Sequence, residues 1–293
     1  MISIEQEGLE LLQFESTFLD NDVFSFVTTR NQAKIDNPYS SFNLGLYSGG
    51  DRDEVLRNLK QLGRVIGISS ENIFLPHQVH GVKIGAVDEY FMSLDTDSKT
   101  KALNGIDALI TNIPFVVIGV TTADCVPVLL YDTKNKVIAA VHAGWRGTVR
   151  HIVRQCVERM SLLYKTGTEN IKAMIGPSIS PGCFEVGNEV IDIFRSSGYD
   201  LSQISFFNRD SNKYHIDLWE ANRLDLANVG VPHSQIEISQ LCTYTLSDKF
   251  YSARRLSVSS GASRTRNRPC STPGSKKRSS PSTISKATIP TTS

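Results

Sequence analysis

The sequence has almost no excess charge of either sign, and it lacks a long uninterrupted apolar run. Its 293 residues include 31 lysines and arginines against 30 aspartates and glutamates, a formal net charge of +1. A general nucleic-acid binder is normally strongly basic, so we expect no nucleic acid as a partner. The longest apolar stretch, residues 113–131, is interrupted by Pro114, Asp124 and Pro127. These residues argue against a membrane span and favour buried strands joined by a turn.

Cysteine is also scarce, and its spacing excludes the common short redox and zinc-finger motifs. The five cysteines lie at positions 125, 156, 183, 242 and 270, and no pair has CxxC spacing. The N-terminal segment MISIEQEGLELLQF has neither the basic region nor the apolar region of a secretory signal. We therefore expect a cytoplasmic protein with reduced thiols and no membrane partner.

The last part of the chain differs in composition from everything before it. Residues 262–293 include 14 serines and threonines, four prolines and seven lysines or arginines, without any acidic residue. Subtracting these seven charges from the total of +1 leaves −6 for residues 1–261. A segment with so little apolar surface does not offset its ordering entropy. We expect a catalytic domain over residues 1–261 and a disordered basic tail over residues 262–293.

The body of the chain alternates strand-like and helix-like patterns. Short β-branched and apolar runs predict strands over residues 22–29, 72–75, 82–87, 115–121, 126–131, 137–142 and 171–175. Amphipathic spacing predicts helices over residues 51–66, 148–164, 189–196 and 218–229. This mixed order is typical of an α/β or α+β domain with more than one sheet.

Three side chains of the body could form one metal site. His80 lies in the segment HQVHG, Cys125 adjoins an apolar strand, and His142 ends the strand KVIAAV. Taken singly, each has an ordinary structural interpretation, since histidines and lone cysteines are common in protein cores. Taken together, two nitrogen donors and one sulfur donor with an open position form the pattern of a catalytic zinc site. The same donors can hold copper, and a Cys125 thiolate activated by His142 is an alternative use.

Residues close to these three are candidates for supporting roles. Asp124 is costly to bury without a partner, so we expect it to hydrogen-bond a histidine ring or a loop amide. The glycine-rich turn after His142 leads into a helix, where backbone N–H groups favour anions such as phosphate. Arginines in this turn and in the segment FYSARR could also hold phosphate. The phosphate candidates are Gly144, Arg146, Gly147, Arg254 and Arg255.

Read in order, six segments of the chain resemble the YfiH family, also called the laccase-domain or multicopper polyphenol oxidase family. The segments are LPHQVHG (75–81), DALIT (107–111), TTADCVPVLLYD (121–132), AAVHAGWRGT (139–148), IGPSISPGCFEVG (175–187) and FYSARR (250–255). Six collinear segments make this resemblance highly specific. It implies a single α+β domain with a four-layer α/β/β/α arrangement of mixed sheets. It also implies a catalytic metal site at His80, Cys125 and His142.

The resemblance further implies chemistry on purine nucleosides. The implied reactions are phosphorolysis of adenosine, inosine, guanosine and methylthioadenosine, and deamination of adenosine, with zinc as the cofactor that polarises a water or a substrate oxygen. Members have also been described as copper-dependent polyphenol oxidases, so a copper enzyme acting on phenols is one alternative. A metal-free binding module is another. The chain has only six histidines, which makes a cluster of several copper ions hard to build.

Overall fold

A computed structural model describes residues 1–18, 20–30 and 41–259. The predicted tail over residues 262–293 and its boundary at residue 261 lie outside these ranges, so both stay predictions. Within the described ranges, no helix is long and apolar enough to cross a membrane.

The described residues form fourteen strands and ten α-helices. The strands are β1 Ile2–Gln6, β2 Leu9–Gln13, β3 Val27–Thr28, β4 Ile73–Phe74, β5 Ile84–Ala86, β6 Ala108–Thr111, β7 Val117–Ile118, β8 Val126–Asp132, β9 Val137–Ala143, β10 Ile171–Ile175, β11 Glu185–Val186, β12 Ser205–Asn208, β13 Lys213–Ile216 and β14 Ile236–Ile238. The helices are α1 Glu15–Phe18, α2 Arg52–Ile66, α3 Glu89–Ser93, α4 Thr96–Ala102, α5 Trp145–Thr148, α6 Ile152–Tyr164, α7 Asn188–Ser196, α8 Leu201–Ile204, α9 Leu218–Asn228 and α10 Ala253–Ser259.

The largest sheet positions the residues of interest. Its six strands lie in the order β14-β10-β8-β9-β6-β5, and both parallel and antiparallel pairs occur. Strands β8 and β9 read VPVLLYD and VIAAVHA, and such continuous apolar runs are typical of strands covered on both faces. Smaller sheets have the orders β1-β2-β3, β11-β13-β12 and β4-β7. Mixed helices and sheets in one chain agree with the predicted α+β class, while the four-layer arrangement stays a prediction.

Helix α6 packs against the strands that end at the candidate site. Its buried face carries Val153, Cys156, Val157 and Met160, all fully buried, at the spacing of one helical stripe. These side chains join the main core with residues of β8, β9 and β10. The packing therefore fixes the ends of β8 and β9 relative to the rest of the fold.

Several predicted elements differ from those observed. The helix predicted over residues 148–164 is split, because α5 ends at Thr148 and α6 begins at Ile152. Between them, His151 adopts a left-handed conformation with φ 57°. The strands predicted over residues 22–29 and 115–121 are reduced to the two-residue strands β3 and β7. Cys156 is a free thiol, as expected.

Candidate metal centre

The strand pairing brings the three predicted donors to one edge of the large sheet. Strands β8 and β9 are antiparallel, and Val126 at the start of β8 pairs with Ala143 at the end of β9. Cys125, just before β8, therefore lies beside His142, near the end of β9. His80 arrives on the loop before β5, which pairs with β6, and β6 in turn pairs with β9.

The donor atoms of His80, Cys125 and His142 all lie within 4.8 Å of one another. The two imidazole rings meet edge to face, with centroids 4.8 Å apart and an interplanar angle of 78°. His142 is buried, Cys125 is partly buried and His80 is exposed, so the cluster opens to solvent on one side. Two nitrogen donors, one sulfur donor and an open side fit the coordination of a catalytic zinc ion.

One carboxylate orients both histidines. Asp107 is fully buried, and its Oδ1 lies 2.9 Å from Nδ1 of His142. The same Oδ1 accepts a hydrogen bond from the backbone N of His80 at 2.9 Å. The other oxygen, Oδ2, accepts hydrogen bonds from the backbone N of Gly81 at 2.7 Å and of Val79 at 3.3 Å. A single side chain thus fixes a ring and the loop that carries the second ring.

The loop around His80 is shaped for this carboxylate. His80 has φ 58°, a left-handed conformation that points successive N–H groups toward one anion. A Cβ on Gly81 would lie 3.0 Å from Asp107 Oδ2, so a side chain there would crowd the contact. Burial alone would raise the pKa of Asp107, but hydrogen bonds from His142 and the loop amides hold that pKa below its usual value. The sequence offered a histidine ring or a loop amide as the partner of Asp124; the partner of the His142 ring is Asp107, whereas Asp124 accepts a hydrogen bond from the backbone N of Arg254.

Asp124 supports the sulfur donor from a different direction. Its carboxylate accepts hydrogen bonds from Thr243 Oγ1 at 2.7 Å, Ser252 Oγ at 3.0 Å and the backbone N of Arg254 at 2.7 Å. Asp124 has φ 89°, a left-handed conformation that is uncommon for a residue with a side chain. The carboxylate therefore ties two later segments of the chain to the loop that presents Cys125.

Cys125 and His142 stabilise each other's charged forms. Burial would raise the pKa of the Cys125 thiol, but hydrogen bonds with His142 and His80 lower that pKa to about 7. Burial would lower the pKa of His142, but Asp107 and Cys125 raise that pKa to about 9. The surroundings of the cluster thus favour a thiolate, which is the form of cysteine that binds metals.

Gly144 provides the space in which the donors meet. A Cβ at this position would lie 3.0 Å from Cys125 Sγ and 3.1 Å from Cδ2 of His80. Its φ of −63° suits any residue, so the need for glycine comes from space and not from backbone conformation. Gly147 is also closely packed, because a Cβ there would lie 3.3 Å from the carbonyl oxygen of Gly81.

Gly144→Ala should therefore weaken metal binding while leaving the fold in place. We expect metal affinity to fall by at least about tenfold, as it does when the surroundings of metal ligands are disturbed. The change is measured by chelator competition, together with a thermal melt. Gly85→Ala on strand β5 is the matched control, because its added methyl group meets only the side chains of Leu109 and Ile106. Equal metal affinities in the two variants would contradict the role given to Gly144.

The arginines predicted to bind phosphate do not line the large cavity beside the three candidate donors. Arg146 stacks on the preceding tryptophan, with its guanidinium carbon 4.3 Å from the ring centre. Arg254 Nη1 donates to the carbonyl oxygen of Glu185 at 3.1 Å, and Arg255 Nη1 donates to that of Tyr244 at 3.2 Å. None of these three arginines lines the cavity that contains the candidate donors.

That cavity has a volume of about 1280 Å³ and is lined by His80, Cys125 and His142. Its wall is rich in aromatic side chains, among them Tyr47 and Tyr251. Ligand pockets in proteins are commonly about 300–1,000 Å³ and mostly apolar, with a few polar groups that fix orientation. The candidate metal donors thus face a cavity that is larger than the usual pocket for one small molecule.

Comparison with known proteins gives the family. The sequence profile described as "Multi-copper polyphenol oxidoreductase laccase" matches residues 24–265. The chain belongs to this family. The resemblance noted in the sequence is thereby confirmed, since relatives and solved structures named YfiH and YlmD also match.

Relatives within the family carry the names of nucleoside enzymes. A "Purine nucleoside phosphorylase" from Bacteroides thetaiotaomicron is 42% identical over 261 residues, which cover 89% of this chain and 96% of the relative. "Adenosine deaminase RL5", from an unknown prokaryotic organism, is 42% identical over 253 residues, covering 86% of this chain and 95% of the relative. The crystal structure of YlmD from Geobacillus stearothermophilus is 30% identical, covers 86% of this chain and 92% of its own, and has a TM-score of 0.77.

Proposed function

We propose that the chain is a zinc-dependent purine nucleoside phosphorylase that also deaminates adenosine. Its expected substrates for phosphorolysis are adenosine, inosine, guanosine and methylthioadenosine, together with phosphate. The observation that carries the proposal is the convergence of the three donors within 4.8 Å on the wall of a large cavity. The names of the family relatives supply the reaction type. A cytoplasmic location is part of the same proposal.

The three donors would hold the zinc ion, and each is prepared for that role by its neighbours. Nδ1 of His142 lies 2.9 Å from Asp107 Oδ1, which leaves Nε2 as the ring nitrogen that would bind the metal once its proton is lost. Cys125 has a lowered pKa, which favours the thiolate at neutral pH. When bound, zinc would supply a Lewis acid that polarises a substrate oxygen or activates a water molecule.

The cavity wall would bind the nucleoside beside this centre. The aromatic side chains of the wall offer stacking surfaces to a purine base. The volume exceeds what a nucleoside alone requires, which leaves room for phosphate. The phosphate roles expected for Gly144, Arg146, Gly147, Arg254 and Arg255 stay predictions.

The first alternative, a copper-dependent oxidase of phenols, is less well supported because the chain has few histidines that could bind copper. The chain has six histidines, and only His80 and His142 belong to a cluster of metal donors among the described residues. His151 has its ring nitrogens 2.9 Å from Asp225 Oδ1 and 3.1 Å from the carbonyl oxygen of Ser197, so it serves the packing of helices. A site for one copper ion is compatible with this set, whereas a cluster of several copper ions is not. The second alternative, a metal-free binding module, leaves the convergence of the three donors unexplained.

Product analysis separates these functions. Protein purified without added metal is supplied with inosine and phosphate, with adenosine and water, or with a phenol and oxygen. We expect hypoxanthine and ribose 1-phosphate from the first mixture and inosine and ammonia from the second. Oxidation of the phenol without turnover of either nucleoside would favour the copper oxidase. Absence of turnover in all three mixtures, in protein free of metal, would favour the binding module.

A further inference from the structure

Arg30 is a cation held firmly on the wall of the cavity that contains the metal donors. It follows β3, and its backbone N donates to the carbonyl oxygen of Lys249 at 2.8 Å. Its side chain donates from Nη1 to the carbonyl oxygen of Ser247 at 3.0 Å. The guanidinium carbon lies 4.5 Å from the ring centre of Tyr251. These contacts fix the position of the guanidinium group before any ligand arrives.

The charge of Arg30 differs from the other positive charges on this wall. Lys136 and Lys249 also line the cavity, but Lys136 pairs with Asp22 and Lys249 with Glu10. Arg30 has no carboxylate partner among the residues that the structure describes. In addition, its Nε is buried and has no hydrogen-bond acceptor. Arg30 thus presents to the cavity a positive charge that no carboxylate among the described residues neutralises.

Arg30 is connected to the metal donors through a short series of contacts. Its guanidinium group stacks on Tyr251, and the next residue, Ser252, donates its hydroxyl to Asp124 Oδ2 at 3.0 Å. Asp124 is followed directly by Cys125. Arg30 and Cys125 line the same cavity, in which a second reactant would bind beside a nucleoside.

We propose that Arg30 binds the phosphate cosubstrate of phosphorolysis, an inference that rests on the proposed function. A planar guanidinium group matches the oxygens of phosphate and keeps its charge at any physiological pH. In the reaction, a phosphate oxygen forms a bond to C1′ of the ribose and the bond from C1′ to N9 of the purine breaks. The electron pair of that bond and a proton go to the purine, which leaves as the free base, and ribose 1-phosphate remains. Arg30 binds the attacking anion and orients it toward C1′.

The test compares a reaction that needs phosphate with one that does not. In Arg30→Met and Arg30→Lys, we expect the KM for phosphate in inosine phosphorolysis to rise by at least about tenfold, the size expected for losing a charge-assisted hydrogen bond. Deamination of adenosine consumes water and should change by less than about threefold. Arg195→Met is the matched control, because Arg195 lies on α7, is exposed and does not line the cavity.

Each outcome decides between a phosphate site and another role. An unchanged KM for phosphate in both Arg30 variants would overturn the proposal, and so would an equal loss of both activities. If Arg30→Met does not fold, Arg30→Lys decides by the same two assays. If the wild-type protein shows no phosphorolysis, the proposed function fails, and binding of inorganic phosphate alone is measured by calorimetry. Phosphate binding that is lost in the Arg30 variants would keep the anion site, whereas no binding to the wild-type protein would remove it.

Discussion

Cys125→Ala is expected to abolish nucleoside turnover and to remove the metal from the purified protein. The loss follows because Cys125 contributes the sulfur donor and lies within 4.8 Å of both histidine donors. Lewis-acid stabilisation of a transition state is worth several kcal/mol, and about 4 kcal/mol corresponds to roughly a thousandfold in rate. The fold should remain, because the side chain is only partly buried and faces the other donors.

Three measurements on the purified Cys125→Ala protein test this expectation: metal content, the rate of inosine phosphorolysis, and a thermal melt. His77→Ala is the control for changes nearby, since His77 is not part of the donor cluster. Its Nδ1 lies 2.6 Å from Asn104 Oδ1, and its ring stacks on that of Tyr47. We expect His77→Ala to keep its metal and most of its activity. Full activity in Cys125→Ala would refute both a ligand role and a nucleophile role for this thiol.

Asp107→Asn is expected to weaken metal binding by about tenfold to a hundredfold, the usual effect of losing a hydrogen-bond partner of a metal ligand. The carboxylate accepts four hydrogen bonds, two at each oxygen. An amide keeps only one oxygen, so its NH₂ group would face two N–H donors. Either His142 or the loop that carries His80 must then move. The melting temperature should fall as well, because buried donors lose their acceptor.

Asp132→Asn is the matched control for Asp107→Asn. Asp132 is also fully buried, and it accepts hydrogen bonds from the backbone N of Lys134 at 2.9 Å and of Asn135 at 3.1 Å. It ends strand β8, whereas Cys125 precedes that strand, so the two lie at opposite ends. Asp132→Asn should lower the melting temperature without changing metal affinity. A similar fall in melting temperature in both variants, with metal affinity unchanged in both, would show that Asp107 has only a structural role.

The contrast between Asp107 and the three donors shows what the sequence could predict about the site. His80, Cys125 and His142 could be chosen because nitrogen and sulfur donors are chemically distinctive and lie in segments that resemble a known family. Asp107 begins one of those segments, DALIT. However, acidic residues often precede strands, so there was no reason in the sequence to select this one. Its role depends on β6 pairing with β9, which places the carboxylate beside a ring 35 residues away. The local sequence pattern does not predict contacts between residues so far apart in the chain.

The fold was predicted best where the pattern is strongest. Strand β10 was predicted with its observed bounds, and β8 and β9 to within one residue, because their runs are apolar and buried. The hairpin of β1 and β2 was missed, although its turn has positive φ values at Glu7 and Gly8. The helix break at His151 was also missed. It is held by a 2.9 Å contact with Asp225, which comes from α9, 74 residues later.

Anomalous scattering from crystals of the protein purified without added metal shows directly whether zinc binds to His80, Cys125 and His142. Data are collected on both sides of the zinc and copper absorption edges, so the metal and its position are obtained together. We expect a single zinc peak bonded to His80, Cys125 and His142, at about 2.0–2.1 Å from nitrogen and about 2.3 Å from sulfur. Absence of any metal peak among these three side chains, or side chains that point into separate regions, would contradict this expectation.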